Sequence, residues 1–528
     1  MANRDWWRSA VVYQIYPRSW MDSNEDGIGD LPGITSKLDY LQWLGIDAIW
    51  LSPIFPSPMK DFGYDVSDYV DVHPIFGTLA DFDALLMAAH ARGIKVLLDL
   101  VPNHTSDEHA WFKESRSSRD NSKRNWYIWR DAKPDGSPPN NWLAYFGGSA
   151  WTWDEATGQY YMHNFLAEQP ELNYRNPEVL QAMLDQVRFW LDRGVDGFRV
   201  DVIDRMLKDD EFRDNPMNPN FQEGVDNPMF SQMRVYSENR PGIHGLIAEF
   251  RKVFDSYADR VMIGEIGYSA DPSQIAGFYY ESGQNLIHLP FNFALILLPW
   301  KAKAIRDFIA LYESILPPEA NPNYVMGNHD MPRLASRIGA EQARIAAMMM
   351  LTLRGTPFIY YGEELGMLNG DLTPAQYQDP QGINMGVSRD FERTPFHWNA
   401  EANAGFSTVA PWLPAAPDYT TRNVEHEKHD PYSILNLYRT LLIQRHTLPA
   451  LTEGTLTLLD SPENTLVYRR DHEGTAALVA LNFSHQPVTV PIGGTGSVLI
   501  STALDKTGAI DLNPLHLRAN EGMVIELA

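Results

Sequence analysis

Asp196-Gly197-Phe198-Arg199-Val200-Asp201-Val202 reads as a short buried strand carrying two charges that a core strand does not hold without a purpose. Side chains two apart on a strand share a face, so Arg199 and Asp201 point the same way. A guanidinium beside a carboxylate favours its charged form. That state suits a nucleophile or a cation stabiliser and is wrong for a proton donor. One isolated Arg-x-Asp is more often a structural ion pair. The rest of the chain argues for more than that.

Seven other short apolar runs share the texture of this one: Val11 to Tyr16, Ala48 to Ser52, Lys95 to Val101, Val261 to Ile266, Leu286 to Phe291, Tyr324 to Gly327 and Thr356 to Tyr361. Amphipathic stretches such as Leu38 to Leu44, Asp81 to Arg92 and Val179 to Arg193 lie between most of them. The last follows Asn176-Pro177 and closes at Gly194, a helix start and stop. Eight strand–helix alternations predict an α/β fold, a (β/α)8 TIM barrel. Two gaps break the rhythm, after the third and eighth strands, where barrel active sites are built. Beyond the helix Ser433 to His446, short strands and turns predict a C-terminal antiparallel β-sandwich. The expected division is a barrel over 1–103 and 175–447 with an irregular part about 363–432, an inserted domain over 104–174, and a β domain over 448–528.

Of 528 residues, 44% are apolar and 21% charged, the balance of a globular protein. The net charge of −25 argues against nucleic acid or an anionic membrane as partner. With no cysteine, thiolate catalysis and zinc–thiolate sites are excluded. The first residues lack the apolar run of a signal peptide and no segment is apolar enough to span a bilayer, so a cytoplasmic location is expected. A monomer or small homo-oligomer is expected. Fifteen Trp and twenty-four Tyr would serve as sugar platforms or simply as core.

Polar groups gather at the strand ends. Asp99, Asn103 and His104 close the third, Arg199 and Asp201 the fourth, Glu265 the fifth, and Asn328, His329, Asp330 and Arg333 follow the seventh. Asp201 has a cation beside it, whereas Glu265 sits among apolar neighbours with none near in sequence. Two carboxyls whose pKa values are pushed apart suit a nucleophile and a proton donor. Glycoside cleavage needs that pair, and Asp330 would hydrogen-bond the sugar hydroxyls.

Asp99-Leu-Val-Pro-Asn-His104, Gly197-Phe-Arg-Val-Asp201, Glu265 and Gly327-Asn-His-Asp330 resemble the motifs of the α-amylase superfamily, glycoside hydrolase family 13, over nearly the whole chain. The resemblance implies a barrel with an insert after strand three and a C-terminal β domain. It also implies a retaining mechanism, with Asp201 as nucleophile, Glu265 as acid/base and Asp330 as transition-state stabiliser. Asp65, His104, Arg199 and His329 are then expected to bind the sugar at the cleavage point, with Tyr64 stacked beneath it.

Gln169-Pro170-Glu171-Leu172-Asn173 looks like the oligo-1,6-glucosidase subgroup motif, with Glu171 in place of its usual Asp. Arg393, in Arg393-Thr-Pro-Phe-His-Trp398, matches a substrate-contacting arginine of that subgroup. Phe165 is read as a pocket wall or a core aromatic. Val202 accompanies α-1,6 cleavage in the family. Asp22, Asn24, Asp26, the Ile28 carbonyl and Asp30 have alternating oxygen spacing that would wrap a structural Ca2+ or Mg2+. A metal-free Asp/Asn/Gly turn is the alternative.

The function expected is an exo-acting α-glucosidase releasing glucose from the non-reducing end of short α-glucosides, favouring isomaltose-type bonds and able to transfer glucose. The alternatives are an α-1,4-specific maltase and a sucrose- or maltose-isomerising or glucosyl-transferring relative. A catalytically silent binding or transporter-accessory subunit is disfavoured, because all three carboxylates are present.

Overall fold

The computed structural model describes residues 5–223, 230–267 and 269–527. Eight parallel strands form the expected barrel: β1 Val12–Ile15, β2 Ala48–Leu51, β3 Lys95–Leu100, β4 Gly197–Val200, β5 Val261–Gly264, β6 Leu289–Pro290, β7 Asn323–Val325 and β8 Thr356–Tyr360. Their order is β6-β5-β4-β3-β2-β1-β8-β7, so the ladder ends at β6 and β7. Side chains bridge that seam. The Asn323 amide donates to the Pro290 carbonyl and its oxygen accepts the Asn292 N–H at 3.0 Å, while Val325 N–H reaches the Asn292 carbonyl at 3.3 Å.

Alternation along each strand sorts the residues into two cores. Val12, Ala48, Trp50, Leu97, Val261, Ile263, Val325 and Phe358 fill the inside of the barrel. Val11, Tyr13, Ile49, Val96, Leu98, Phe198, Val200 and Met262 pack outward into the helices. Asp99 is in phase with Leu97, and Glu265 with Ile263. Arg199 pairs in register with Asp99 on one side and Ile263 on the other. The charged groups are therefore the last rungs of an apolar interior column. Gly197 opens β4 because a Cβ there would lie 2.2 Å from the Val261 carbonyl oxygen.

The helix leading into β4 runs Pro177–Arg193, with the Asn176 side chain capping the Glu178 N–H and Gly194 ending it at φ 105°. The insert after β3 holds a three-stranded antiparallel sheet in the order 129–130, 159–162, 151–154 around Ile128, Trp142, Trp151 and Met162.

A third long excursion, between β4 and the helix Ile243–Asp255, lies outside the two expected gaps. Its shape is set by the insert rather than by its own periodicity. Asn140 and Trp142 donate to the carbonyls of Phe212 and Arg213, and Asn141 exchanges bonds with Asp214 and Asn215.

The C-terminal strands make a six-stranded antiparallel sheet and a two-stranded ribbon. Two buried arginines, neither with a carboxylate partner among the described residues, brace the barrel where the sheet meets it: Arg470 on the sheet itself and Arg445 on the helix Ile434–Thr447 before it. Arg445 donates to the carbonyls of Leu351 and Gly355, and Arg470 to those of Thr352 and Gly454, collecting the last carbonyls of the helix Ala340–Thr352. Removing one leaves several buried acceptors unmet. Arg445→Leu is expected to lower unfolding free energy by roughly 1–3 kcal/mol in urea denaturation; an unchanged transition would show that the junction does not depend on it.

Candidate active site

Arg199 is fully buried, and its two terminal nitrogens hold three carboxylates. Nη1 donates to Asp99 at 2.9 Å and to Asp201 at 2.7 Å, and Nη2 donates to Glu265. Its plane lies 5.1 Å from the Trp50 ring. Asp99, quoted in the β3 motif but given no role there, is fully committed: it also accepts from Trp50 Nε1 and the Tyr64 hydroxyl, both at 3.1 Å.

The sequence expectation of a cation for Asp201 and none for Glu265 is corrected here. Both carboxyls bond the same guanidinium, because a residue 66 positions away along the chain is brought beside the fifth strand. Burial pushes Asp201 up to about 6 against the pull of Arg199. It pushes Glu265 up to about 8, again opposed by Arg199 and reinforced by the negative Asp201 and Asp330. Both are equally buried, and they are still split in the expected order because Asp201 is favoured by hydrogen bonds from Glu265 and Arg199 whereas Glu265 faces the negative Asp201 and Asp330.

Asp330 behaves oppositely. Burial raises its pKa, but His329, Arg389 and Arg393 outweigh that and hold it below the usual carboxylate range. Burial lowers His329 to about 3, so its ring is neutral at ordinary pH and the two arginines supply the charge that counts. Their nitrogens lie 3.1 and 3.0 Å from Asp330 Oδ1.

His329 is oriented from both sides. The Gln14 amide meets Nδ1 at 2.9 Å, which leaves Nε2 to donate to the Tyr64 hydroxyl at 2.7 Å. Tyr64 passes its own proton to Asp99, and its ring stacks face to face on His329 at 5.4 Å. His104 sits nearby, with Nε2 3.0 Å from the Tyr64 carbonyl and its ring 5.2 Å from Phe165. Phe165 continues into a wall with Tyr145 and Phe146. Val202 lies in the left-handed region at φ 34°, a costly conformation for a β-branched residue, and its N–H is 3.3 Å from Glu265 Oε2.

Two residues expected to bind the sugar, Asp65 and Arg333, are placed otherwise. Asp65 closes its own loop, accepting from Ser57 and from the N–H groups of Lys60 and Asp61. Asp61, four residues earlier, faces the site instead and meets Arg389 at 2.9 Å and Gln169 at 3.1 Å. Arg333 turns into the barrel wall, donating to the Tyr361 carbonyl over the rings of Tyr360 and Tyr361. Arg393 does reach Asp330, but Arg389 reaches further: it spans Asp330, Asp61 and Asp379 and lies 4.8 Å from the Phe146 ring. Asp61, Arg389 and Asp379 are the residues missed, because nothing in sequence ranks Asp61 above Asp65 or one arginine of Arg389-Asp-Phe-Glu-Arg393 above the other.

The residues expected to wrap a cation form a turn closed by its own bonds. Asp22 accepts the N–H groups of Asn24, Glu25 and Gly27 and the Ser407 hydroxyl; Asn24 accepts from Asp26, and Asp26 from Ile28. Asp30 accepts from Ser23 and caps the following helix at Gly33. Among the described residues no group of three or more acidic or imidazole side chains is arranged to hold a metal ion. The five residues share one compact turn, and the oxygens of Asp22, Asn24, Asp26 and Asp30 meet its N–H groups.

Residues 14–454 match the model of the alpha-amylase catalytic domain. The chain belongs to the alpha-amylase family. It is a member of a family of glycoside hydrolases, glycoside hydrolase family 13, and shares 45% identity over 507 residues with a probable alpha-glucosidase of Rhizobium meliloti, covering 92% of this chain and 91% of that protein. An oligo-1,6-glucosidase of Heyndrickxia coagulans is 41% identical over 92% of this chain and 93% of its own. Among solved structures, an alpha-glucosyl transfer enzyme superposes with a TM-score of 0.92 at 42% identity over 99% of both chains. The trehalulose synthase of Pseudomonas mesoacidophila gives 0.90 at 37% over 99% of both.

Arg389→Met takes a cation from three carboxylates at once, leaving Asp61 and Asp379 without their arginine and Asp330 with Arg393 alone. It is expected to lower kcat/KM by about 100-fold or more, a few kcal/mol of lost transition-state stabilisation. Wild-type rates on any α-glucoside would show that Arg389 is not part of the sugar site.

Proposed function

We propose that the protein is a retaining, exo-acting α-glucosidase that releases glucose from the non-reducing end of short α-glucosides. The supporting observation is the pair Asp201 and Glu265 on the two ends of one guanidinium. Such closeness suits the roughly 5–5.5 Å carboxyl spacing of retaining enzymes, not the wider spacing that admits a water for inversion.

In this reading Glu265 gives its proton to the glycosidic oxygen as the bond to the anomeric carbon breaks. Asp201 attacks that carbon, forming a glucosyl ester, and the second sugar leaves as an alcohol. Glu265, now ionised, takes a proton from an incoming water, whose oxygen displaces Asp201 and restores both carboxyls. Asp330 stays negative throughout and holds sugar hydroxyls as positive charge grows on the ring. A sugar hydroxyl in place of that water gives transfer, and the alpha-glucosyl transfer enzyme among the solved relatives supports that branch.

A preference for α-1,6 bonds rests on Val202 and on the oligo-1,6-glucosidase relatives. Initial products from isomaltose and maltose, resolved by NMR, test the whole reading. α-Glucose is expected first, with isomaltose the better substrate. β-Glucose first would overturn retention, and faster maltose cleavage would overturn the linkage.

The pH profile follows from the two carboxyls as a coupled pair. Asp201 must be ionised, so kcat/KM is expected to rise through about pH 6; Glu265 must be protonated, so it is expected to fall through about pH 8. A profile still rising above pH 9 would contradict the proton-donor role. The oxygen spacing over 22–30 is the whole support for a structural cation. Adding CaCl2 to EDTA-treated protein is expected to raise the thermal midpoint by several degrees, and an unchanged midpoint retires the assignment.

A further inference from the structure

Arg205 lies four residues beyond the nucleophile, and its guanidinium is buried with 7% of the side chain exposed. None of its side-chain nitrogens makes a hydrogen bond among the described residues, and Nε is wholly enclosed and unpartnered. The nearest carboxylate oxygens, on Asp204 and Glu238, lie 3.9 Å away, beyond hydrogen-bond reach. A buried guanidinium normally fills its five donors. Here aromatic rings hold it instead: its carbon lies 4.3 Å from the Tyr145 centroid and 5.8 Å from that of Phe165. Tyr145 is itself fixed, with its hydroxyl on Glu238 and Arg234 3.8 Å from its ring.

The position relates this cation to the chemistry. Phe165 joins it to His104 on the glucose side. Arg205 is also one of the charges opposing the burial of Glu265, so it sits on the proton donor's side of the site. That is where the departing half of a substrate must lie, since Glu265 protonates the oxygen linking the two sugars. With Asp204 and Glu238 beside it and Arg234 beyond, the surroundings are balanced in charge. That favours a neutral polyhydroxylated group over a phosphate or a carboxylate.

We propose that Arg205 is the residue that binds the leaving and acceptor sugar, its terminal nitrogens donating to hydroxyls of the ring beyond the cleaved bond. This rests on the α-glucosidase reading and adds the residue that selects its second sugar. An aglycone without hydroxyls gains nothing from such donors, whereas a disaccharide does. The rigid aromatic setting keeps the guanidinium aimed while the site is empty, so little ordering cost falls on binding.

The test compares maltose, isomaltose and p-nitrophenyl α-glucoside in the wild type, Arg205→Gln and Arg205→Lys. Arg205→Gln is expected to lose about tenfold or more in kcat/KM on the disaccharides and less than about threefold on the aryl glucoside. Arg205→Lys should fall between, keeping charge without the fork. Equal losses on all three substrates, or none on any, overturn the assignment. A crystal of Asp201→Asn with isomaltose gives a second reading free of any Arg205 variant. The second ring is expected within hydrogen-bond distance of an Arg205 nitrogen, and a ring placed elsewhere overturns the proposal. A wild type inactive on all three glucosides would instead remove the α-glucosidase reading itself.

Discussion

One guanidinium is asked to serve three carboxylates. Asp99 takes part of Arg199 permanently, with Trp50 and Tyr64 filling its other lone pairs. What remains is shared between Asp201 and Glu265, and it does not suffice to ionise both easily in so dry a place. The shortage is useful. A second free cation would flatten the difference between the two acids, and its complete absence would leave both protonated. Breaking any leg of this arrangement strands a buried charge, which is why the site needs the barrel's full rigidity around it.

The barrel meets that need through strand phase. Each strand puts every second residue inside, and the apolar column below gives way to charge only at the last rung. The ring of Trp50 below and the rings of Tyr16, Tyr64 and His329 beside it exclude water without offering a competing charge. The arginines on Asp330 come from the irregular stretch after β8, so the third carboxylate is tuned from above while the first two are tuned from within. Electrostatic preorganisation here is divided between wall and roof.

Most of the barrel was legible because its signals are local: apolar runs, a Pro at a helix start, Gly at its stop. The three carboxylates were legible because a charge at the end of an apolar strand stands out. What was not legible depends on partners distant in sequence. The sharing of Arg199 with Glu265 needs two strands side by side. The choice between Asp61 and Asp65, or between Arg389 and Arg393, turns on which way a loop is twisted, and acid and arginine look alike from either position. The long excursion after β4 carries no periodicity of its own, since the insert's asparagines and Trp142 dictate its path. The loop over 22–30 is ambiguous for a related reason, because alternating oxygens serve backbone N–H groups as readily as a metal.

The seam between β6 and β7 divides the catalytic ring unevenly. Glu265 stands on one bank, at the end of the strand next to β6, and Asp330 on the other, beyond β7. Side chains and one main-chain contact stitch the banks where elsewhere a ladder would run. Arg337 adds a cationic clasp on the same joint, donating to the Ile296 carbonyl on one bank and the Met326 carbonyl on the other, while Phe291 and Phe293 pack with Val325 and Phe358 behind it. Proton donor and charge stabiliser are thus held in step by side chains where the strands themselves do not pair.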